Sequence, residues 1–368
     1  MTLEKIRQIG IDVRMAQYTG IGRYIRSLVS KLDRRSQHFQ FTLVGDPKSN
    51  KEFPPEFQFI PTRIPIYSFR EQITLPQIIR FVDCLHVPHY NAPIFWRKKL
   101  VVTIHDLIHL HFSEHLSPLV RLYAQTMLPQ IVRRADAIIA VSEYTKKDLI
   151  RTFGTQENKI TVIHHGIDPS FLISEEKGNE ISENRERYFL YVGLLKAHKN
   201  ISVLLEAFRS LKNKLNLPDL KLRLVGVPDE KQKIVRQWLD AIKTQNDILL
   251  TKSVTDEQLK EFYRNAVALV LPSFYEGFGF PLLEAMAAQT PIIASHTASI
   301  PEVLGGTAGL LFDPYSALEL QNCMERILMN SDLRQKLVQE GLKRLDFFNW
   351  DIAARKTEQV YDTVLGSN

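Results

Sequence analysis

The feature that most constrains the fold of this chain is an alternation of β-rich and amphipathic helical runs, which occurs twice along its 368 residues. Short runs rich in Val, Ile, Leu and Phe predict strands, and longer runs with apolar residues every three or four positions predict helices. The predicted strands are 6–13, 39–44, 57–64, 100–105, 137–142 and 160–163 in the first half and 188–192, 221–225, 248–251, 268–271 and 291–294 in the second. Strands alternating with helices form parallel sheets covered on both faces, so we predict an α/β fold with two doubly wound sheets.

The chain divides near residues 171–187, a polar, acidic stretch that is poor in β-branched residues. Such composition is typical of a linker. We therefore predict two α/β domains, at 1–172 and at 187–349. The amphipathic helical run at about 350–365 follows the last predicted sheet, and we expect it to cross back to the first domain.

The excess of basic over acidic residues lies in the first half of the chain. Residues 1–172 hold 23 Lys and Arg against 15 Asp and Glu, whereas the remainder holds 24 against 26. This excess suits an anionic partner, such as nucleic acid, phospholipid headgroups or a phosphate-bearing acceptor. Ordinary solubilising charge is the alternative interpretation. Because no basic strand is interleaved with aromatic residues, we expect no nucleic acid partner.

Several absences favour a cytoplasmic protein. The two cysteines, Cys84 and Cys323, cannot form a disulfide framework. The first ten residues lack the apolar core of a signal peptide, and no apolar run is long enough to span a bilayer. The histidines of the segment HDLIHLHFSEH resemble a metal cluster, but the first of them ends a predicted strand, so no single helix face presents all four.

The most informative segment is SFYEGFGFPLLEAMAAQTPIIAS, residues 273–295. Glu276 follows a strongly apolar predicted strand, and Gly277 and Gly279 let the backbone approach a ligand closely. Pro281 fits the first position of a helix, whose free amide groups form a site for an anion. A carboxylate in the same turn would repel a phosphate, so we expect Glu284 to point sideways and to accept hydrogen bonds from ribose hydroxyls. Taken alone, Glu284 is better explained as a complement to the helix dipole, whereas the whole strand–turn–helix string favours a ligand site.

This string resembles the signature of the family-4 retaining glycosyltransferases, in which two glutamates are separated by seven residues within a string like E-G-F-G-x-P-x-x-E-A-M-A. Similar segments extend over nearly the whole chain: YTGIGRY, VVTIHDL, AVSEYTKKDL, ITVIHHGID, YVGLLKAHKN, SVTDEQLKEFYRNA and the tail FFNWDIAARKTEQVYD. The resemblance implies the GT-B fold, in which two Rossmann-like domains face a cleft and a C-terminal helix crosses over. It also implies that the first domain binds the acceptor and the second binds the donor.

The resemblance further implies roles for individual residues. His105 and Glu276 would be catalytic, because both contact the donor sugar. The donor-binding residues would be Gly20, Gly22, Lys199, Val254, Gly277, Phe278, Gly279, Phe280, Leu283 and Glu284. Among these, Lys199 would neutralise the diphosphate, Val254 would lie by the base, and Glu284 would hold the ribose.

The chain departs from the family pattern at Leu194, where the family often has an arginine that contacts the diphosphate. This leaves Lys199 as the main cation for the leaving group. Arg23 is a further candidate for a phosphate contact, and a solvated helix face explains it about equally well. Because the chain contains no Asp-x-Asp triplet, we expect neither a metal nor another cofactor. Departure of the diphosphate then needs only positive charge and amide donors, and the acceptor attacks from the same face of the sugar.

The sequence therefore predicts a retaining hexosyltransferase in polysaccharide biosynthesis. We favour a UDP-hexose donor such as UDP-glucose, with GDP-mannose as the alternative, and a glycan or polyprenyl-linked glycan as the acceptor. The basic first domain also suits peripheral contact with an anionic inner membrane face. The alternatives are a GT-B-like sugar-nucleotide epimerase or phosphorylase and a non-catalytic nucleotide-sugar-binding protein.

Overall fold

The computed structural model describes residues 6–32, 38–115, 118–172 and 186–366. The chain forms two compact units. One contains the chain up to Gly166 and again from Asn349 onward, and the other runs from Ile167 to Phe348. Each unit is built on a parallel sheet with helices between its strands, so the predicted α/β fold is confirmed.

The described residues of the first unit contain a parallel sheet of seven strands in the order β3-β2-β1-β4-β5-β6-β7. The strands are β1 (Arg7–Asp12), β2 (Phe39–Gly45), β3 (Gln58–Pro61), β4 (Cys84–Val87), β5 (Lys99–Ile104), β6 (Ala137–Ala140) and β7 (Ile160–Val162). The helices before the chain leaves this unit are α1 (Gly20–Lys31), α2 (Phe69–Ile78), α3 (Ile108–His111), α4 (Pro118–Arg134) and α5 (Glu143–Phe153). A buried apolar core lies between these helices and the sheet.

The described residues of the second unit contain a parallel sheet of six strands in the order β10-β9-β8-β11-β12-β13. The strands are β8 (Tyr188–Val192), β9 (Lys221–Val225), β10 (Ile248–Thr251), β11 (Ala268–Leu271), β12 (Ile292–Ser295) and β13 (Leu310–Phe312). The helices are α6 (Ile201–Leu215), α7 (Lys233–Lys243), α8 (Asp256–Asn265), α9 (Phe280–Ala287), α10 (Ile300–Leu304), α11 (Ala317–Met329) and α12 (Ser331–Leu345). This unit has its own apolar core.

The last helix, α13 (Trp350–Leu365), returns to the first unit. Its Tyr361 hydroxyl lies 2.6 Å from Nδ1 of His86 in β4, and Nε2 of His86 lies 2.9 Å from the Thr103 hydroxyl in β5. All three side chains are fully buried, so these hydrogen bonds satisfy polar groups that would otherwise destabilise the core. The helix predicted at 350–365 is therefore an integral part of the first unit.

The boundary between the units lies earlier than the predicted one. We predicted that the first domain extends to residue 172, but the division falls between Gly166 and Ile167. The Ile167 amide donates to the Phe348 carbonyl at 3.1 Å, and the Phe171 ring lies edge-on to Tyr263. These contacts hold residues 167–172 within the second unit. Most of the predicted linker, residues 173–185, lies outside the described residues.

The strand order reverses beside the first strand of each sheet. In the first sheet β1 lies between β2 and β4, and in the second sheet β8 lies between β9 and β11. In an open α/β sheet, the loops at the carboxyl ends of the strands diverge at this reversal and leave a crevice that binds ligands. The fold therefore directs attention to the loops after β1 and β4 in the first unit and after β8 and β11 in the second.

Candidate active site

The loops after β8 and β11 bring together two of the predicted site residues. Lys199 ends a short helical turn after β8, and Glu276 lies in the loop after β11. The Lys199 Nζ donates to Glu276 Oε1 at 2.7 Å. Both side chains are largely but not fully buried, with 17% and 11% of their surface exposed. A cation and a carboxylate thus meet at the predicted crevice, where a ligand can reach them.

The Glu276 carboxylate is oriented by residues that sequence reasoning did not single out. The Ser273 hydroxyl donates to the same oxygen, Oε1, at 2.6 Å. The Ser299 hydroxyl donates to the Glu276 backbone carbonyl at 2.9 Å. No described residue hydrogen-bonds Oε2, so one carboxylate oxygen is fixed and the other can accept a hydrogen bond from a ligand hydroxyl.

The turn that carries Lys199 is fastened to its neighbouring loops. Asn200 has a left-handed backbone, with φ of 52°, and its side-chain amide donates to the carbonyls of Pro272 at 3.1 Å and Pro314 at 2.7 Å. The Phe274 amide donates to the His198 carbonyl at 2.8 Å. The positions of Lys199 and Glu276 are therefore set by hydrogen bonds between loops, because neither residue lies on a regular element.

Helix α9 begins beside this pair. Its N-cap, Gly279, has φ of 95°, a conformation that residues with a side chain rarely adopt. Pro281 lies in the first turn, and no side chain of the described residues caps the helix. The first backbone amides of a helix lack a carbonyl partner four residues back and favour a negatively charged ligand, and in α9 the Leu282 amide donates instead to the Gly279 carbonyl at 3.0 Å. The start of α9 therefore complements Lys199 as a site for an anion.

Glu284, in the same helix, is buried, and its Oε2 accepts a hydrogen bond from the Tyr263 hydroxyl at 2.6 Å. Tyr263 belongs to α8, is itself fully buried, and its carbonyl accepts from the Thr290 hydroxyl at 2.7 Å. Glu284 is thus held by a neighbouring helix. Sequence reasoning missed Tyr263, although it lies within the quoted segment SVTDEQLKEFYRNA.

The remaining predicted donor-binding residues of the second unit lie at the same edge of the sheet or just behind it. Phe278 is buried against Phe280 and Phe348, and Leu283 is fully buried. Any ligand contact of Leu283 is therefore through its backbone. Val254 lies, half-buried, in the loop between β10 and α8.

His105 belongs to the first unit and directly follows β5. Its Nε2 lies 3.0 Å from the Pro88 carbonyl oxygen, which can only accept, so Nε2 carries the proton. Burial lowers the pKa of His105 to about 4, so the ring is neutral at pH 7. No described residue hydrogen-bonds Nδ1, which is therefore the ring atom able to accept a hydrogen bond from a ligand.

Aromatic side chains pack against the His105 ring. The Tyr24 ring of α1 lies edge-on to it at 4.8 Å between centroids, and the His165 ring lies at 5.5 Å. His165 in turn stacks on Trp350, the first residue of α13. We assigned no role to His165 from the sequence, and no local pattern identifies it, because its contacts come from three separate segments.

The two predicted glycines of the first unit differ in their surroundings. Gly20 begins α1 and has open space where a Cβ would lie. Gly22 lies two residues further into α1, and a Cβ there would approach the Ala16 carbonyl oxygen to 2.3 Å. Gly22 therefore lets the helix pack against the loop after β1. Their predicted contact with the donor phosphates stays a prediction.

The histidines after β5 do not form a cluster of metal ligands in the part of the chain that the structure describes. His111 Nε2 lies 2.7 Å from Asp148 Oδ2, and His109 Nδ1 lies 3.2 Å from the Tyr90 hydroxyl. The side chain of His115 lies outside the described residues. Among the described helices, none combines the length and the apolar character needed to cross a bilayer.

Comparisons with known proteins identify the family of the chain. Residues 18–171 match the model of the family described as Glycosyltransferase Family 4, and residues 173–344 match that of Glycosyl transferases group 1. The O-antigen chain mannosyltransferase B of Escherichia coli is 28% identical over 74% of this chain and 73% of its own length. The O-antigen chain mannosyltransferase RfbU of Salmonella typhimurium is 28% identical over 77% of this chain and 76% of its own length.

Solved structures show the same fold. A sucrose-phosphate synthase from Thermosynechococcus elongatus superposes with a TM-score of 0.77 at 20% identity, covering 98% of this chain and 100% of that one. Anabaena HepE in complex with UDP-glucose superposes with a TM-score of 0.75 at 16% identity, covering 97% and 99%. The fold is therefore GT-B, with two Rossmann-like units that are each built on a parallel sheet.

The chain belongs to glycosyltransferase family 4, since its two family models follow one another along the sequence. The family, the fold class and the enzyme class predicted from the sequence are thereby confirmed.

Proposed function

We propose that this protein transfers a hexosyl group, with retention of configuration, from a nucleoside diphosphate sugar to a glycan or polyprenyl-linked glycan during polysaccharide biosynthesis. The observation that carries this proposal is the contact between Lys199 and Glu276 beside the start of α9, at the strand reversal of the second unit. This arrangement offers positive charge for a diphosphate and a carboxylate oxygen for sugar hydroxyls within one crevice.

The leaving diphosphate is stabilised by Lys199 and by the amides at the start of α9. As the bond between the anomeric carbon and the phosphate oxygen breaks, negative charge grows on that oxygen. A lysine and preorganised amide donors stabilise this charge most strongly where water is partly excluded. The described residues thus supply the electrostatic stabilisation, and the proposed reaction requires no metal or other cofactor.

The sugar is positioned by hydrogen-bond acceptors. Glu276 Oε2 accepts from hydroxyls of the donor sugar, while Lys199 and Ser273 hold Oε1. His105, neutral and protonated on Nε2, accepts a sugar hydroxyl on Nδ1. Each of these groups accepts hydrogen bonds, which suits a polyhydroxylated ligand such as a sugar.

The nucleoside is held by Glu284, whose carboxylate accepts from the ribose hydroxyls, and by the backbone near Val254, which lies beside the base. The Tyr263 hydrogen bond fixes Glu284 for this task. Backbone contact with the base explains why the sequence does not reveal which base is bound.

The reaction proceeds by front-face attack. The acceptor hydroxyl oxygen forms the new bond to the anomeric carbon on the side from which the diphosphate departs. Its proton passes to the departing phosphate oxygen, so the products are the glycoside and the nucleoside diphosphate. This step requires alignment rather than a general base from the protein.

The similar curated proteins named above are mannosyltransferases, which supports mannose as the transferred hexose and GDP-mannose as the donor. UDP-hexoses, which we favoured from the sequence, remain the alternative donors. Both mannosyltransferases are named for the O-antigen chain, which supports a bacterial surface polysaccharide as the product. We place the reaction in the cytoplasm, at the inner membrane face where a polyprenyl-linked acceptor would lie.

The proposal is tested by donor hydrolysis in the absence of an acceptor and by nucleotide binding. Glu276→Ala should slow release of the nucleoside diphosphate about 100-fold or more, whereas Glu257→Ala, an exposed glutamate of α8, should leave it unchanged. Only GDP or only UDP should raise the melting temperature appreciably in a screen of GDP, UDP and ADP. Turnover by Glu276→Ala equal to that of the wild type would refute the site.

A further inference from the structure

Helix α2 of the first unit presents an apolar stripe to solvent. Phe69, Ile73 and Pro76 recur at the spacing of one helix face. Phe69 is 77% exposed and Ile73 is 46% exposed, and Phe95, in the loop before β5, is 58% exposed. Single exposed apolar residues are ordinary on protein surfaces, but a contiguous group marks a site of interaction.

Ile73 and Pro76 of this stripe line a groove of about 600 Å³. Ile73, Pro76, Ile94 and Phe95 supply its apolar surface. Gln72 also lines the groove and is 5% exposed. Its Oε1 accepts from the Ile94 amide at 2.8 Å, but its Nε2 has no hydrogen-bond partner among the described residues. Burying a polar group without a partner is costly, so an unused donor in an apolar groove points to a ligand that accepts hydrogen bonds.

Positive charge surrounds the groove. Arg97 lines it, and Arg70 and Arg80 lie on and just after α2. All three are exposed, and none forms an ion pair with a described residue. Arg134, also in the lining, donates to the Trp96 and Lys98 carbonyls.

Negative charge is scarce in the same part of the chain. Residues 61–98 contain five Arg and Lys but only two acidic residues, Glu71 and Asp83. Glu71 is fully buried and bonded to Arg14, so it does not offset the surface charge. Residues 61–98 thus contribute a net charge of +3 to the +8 of residues 1–172, and this part of the excess accompanies an exposed apolar stripe.

We propose that α2 and the groove beside it dock the first unit on a membrane surface rich in anionic phospholipid. Phe69, Ile73 and Phe95 would enter the boundary between headgroups and acyl chains, while Arg70, Arg80 and Arg97 pair with lipid phosphates. The Gln72 amide donates to a phosphate or ester oxygen of a lipid seated in the groove. The purpose of this docking rests on the proposed lipid-linked acceptor, although the docking itself requires no catalysis.

The chemistry of the surface favours lipid over a protein partner. A protein partner would need acidic side chains placed opposite each arginine, whereas lipid phosphates are mobile and can pair with arginines in any arrangement. Phe69 and Ile73 are large, exposed apolar side chains on the same helix as Arg70, which is the composition of helices that lie in the membrane interface.

The experiment is flotation of the whole protein with vesicles of phosphatidylcholine alone or of phosphatidylcholine mixed equally with phosphatidylglycerol. We expect the wild type to float with the anionic vesicles and, at high salt, to be released from them. The double variant Phe69→Ser/Phe95→Ser should reduce the partition coefficient about 100-fold, that is roughly ten-fold for each aromatic side chain withdrawn from the interface. Arg70→Gln/Arg97→Gln should reduce it about five-fold for each charge.

The matched control is Leu318→Ser/Met329→Ser on α11 of the second unit, where the two side chains are 65% and 73% exposed. This variant should float as the wild type does. The docking proposal is wrong if the wild type fails to float, if it binds both vesicle types equally, or if the phenylalanine variant matches the control. Stabilisation by a nucleoside diphosphate, measured on the same proteins, should be unaffected, so a failure of docking is distinguishable from a failure of the proposed enzymatic activity.

Discussion

The hydrogen bond between Tyr263 and Glu284 makes a quantitative prediction. The substitution Tyr263→Phe removes one hydroxyl and leaves the shape of the fully buried side chain almost unchanged. That hydroxyl donates at 2.6 Å to a carboxylate that is 2% exposed, where water cannot easily replace it. Hydrogen bonds to charged groups contribute about 1.5–3 kcal/mol, so we expect a loss of this size in the free energy of unfolding of the second unit.

The control is Tyr188→Phe in the same unit. The Tyr188 hydroxyl donates to the Phe262 carbonyl at 2.9 Å, and the residue is 5% exposed. Because the acceptor is neutral, this substitution should cost only about 0.5–1.5 kcal/mol. The difference between the two variants isolates the contribution of the carboxylate charge.

The assay must follow the second unit alone, since a chain with two units need not unfold in one transition. The sequence contains three tryptophans, of which Trp238 lies in the second unit and is 4% exposed. Urea unfolding can be followed by ¹⁹F NMR of 5-fluorotryptophan protein, with the Trp238 signal assigned from Trp238→Phe. A cost for Tyr263→Phe no larger than that for Tyr188→Phe would refute the reasoning.

Three further predictions concern separate parts of the molecule. Gly22→Ala should destabilise the first unit by about 1–3 kcal/mol, because its Cβ would meet the Ala16 carbonyl, whereas Gly20→Ala should not; urea unfolding followed at Trp96 checks this. Lys199→Met should lower kcat/KM about 100-fold or more in a donor hydrolysis assay, and Lys243→Met, an exposed lysine of α7, should leave it unchanged. Burial lowers the pKa of His86 to about 3 and of His105 to about 4, so the unfolded chain binds more protons below pH 6.5. The free energy of unfolding of the first unit should therefore fall by about 1.4 kcal/mol per pH unit for each histidine as the pH drops towards 4. The urea midpoint of His86→Gln should depend less steeply on pH than that of the wild type.

The second unit was largely predictable because its strands are short apolar runs bounded by turn residues. The strands predicted at 188–192, 221–225, 248–251 and 268–271 have the bounds found in the structure. By contrast, β4 was not predicted, although it lies beside β1 in the middle of its sheet. It is four residues long and contains His86, whose buried ring is satisfied only by residues distant in sequence, Thr103 and Tyr361. A local sequence pattern does not reveal hydrogen bonds between residues so far apart in the chain.

In the candidate site, too, the sequence indicated individual residues but not the contacts between them. The motif identified Glu276 and Glu284, and the resemblance added Lys199, but neither indicated the contact between Lys199 and Glu276. That contact depends on β8 and β11 being neighbours in the sheet, which is a property of the topology. Ser273 and Tyr263 escaped notice because serine and tyrosine are common, and only their tertiary placement makes them partners of the glutamates.

The return of α13 to the first unit has a consequence for the order in which the chain folds during synthesis. The second unit is continuous in sequence, so all of its residues have been translated before α13 is made. Folding of the first unit cannot be completed until α13 is made, because Tyr361 is the hydrogen-bond partner of His86 in β4. His86 is synthesised 275 residues earlier. Until α13 is made, the cavity that it fills, lined by His86 and Tyr24, stays open to solvent. We therefore expect a chain truncated after Phe348 to carry a folded second unit joined to an incomplete first one, which limited proteolysis of the purified truncated protein would reveal.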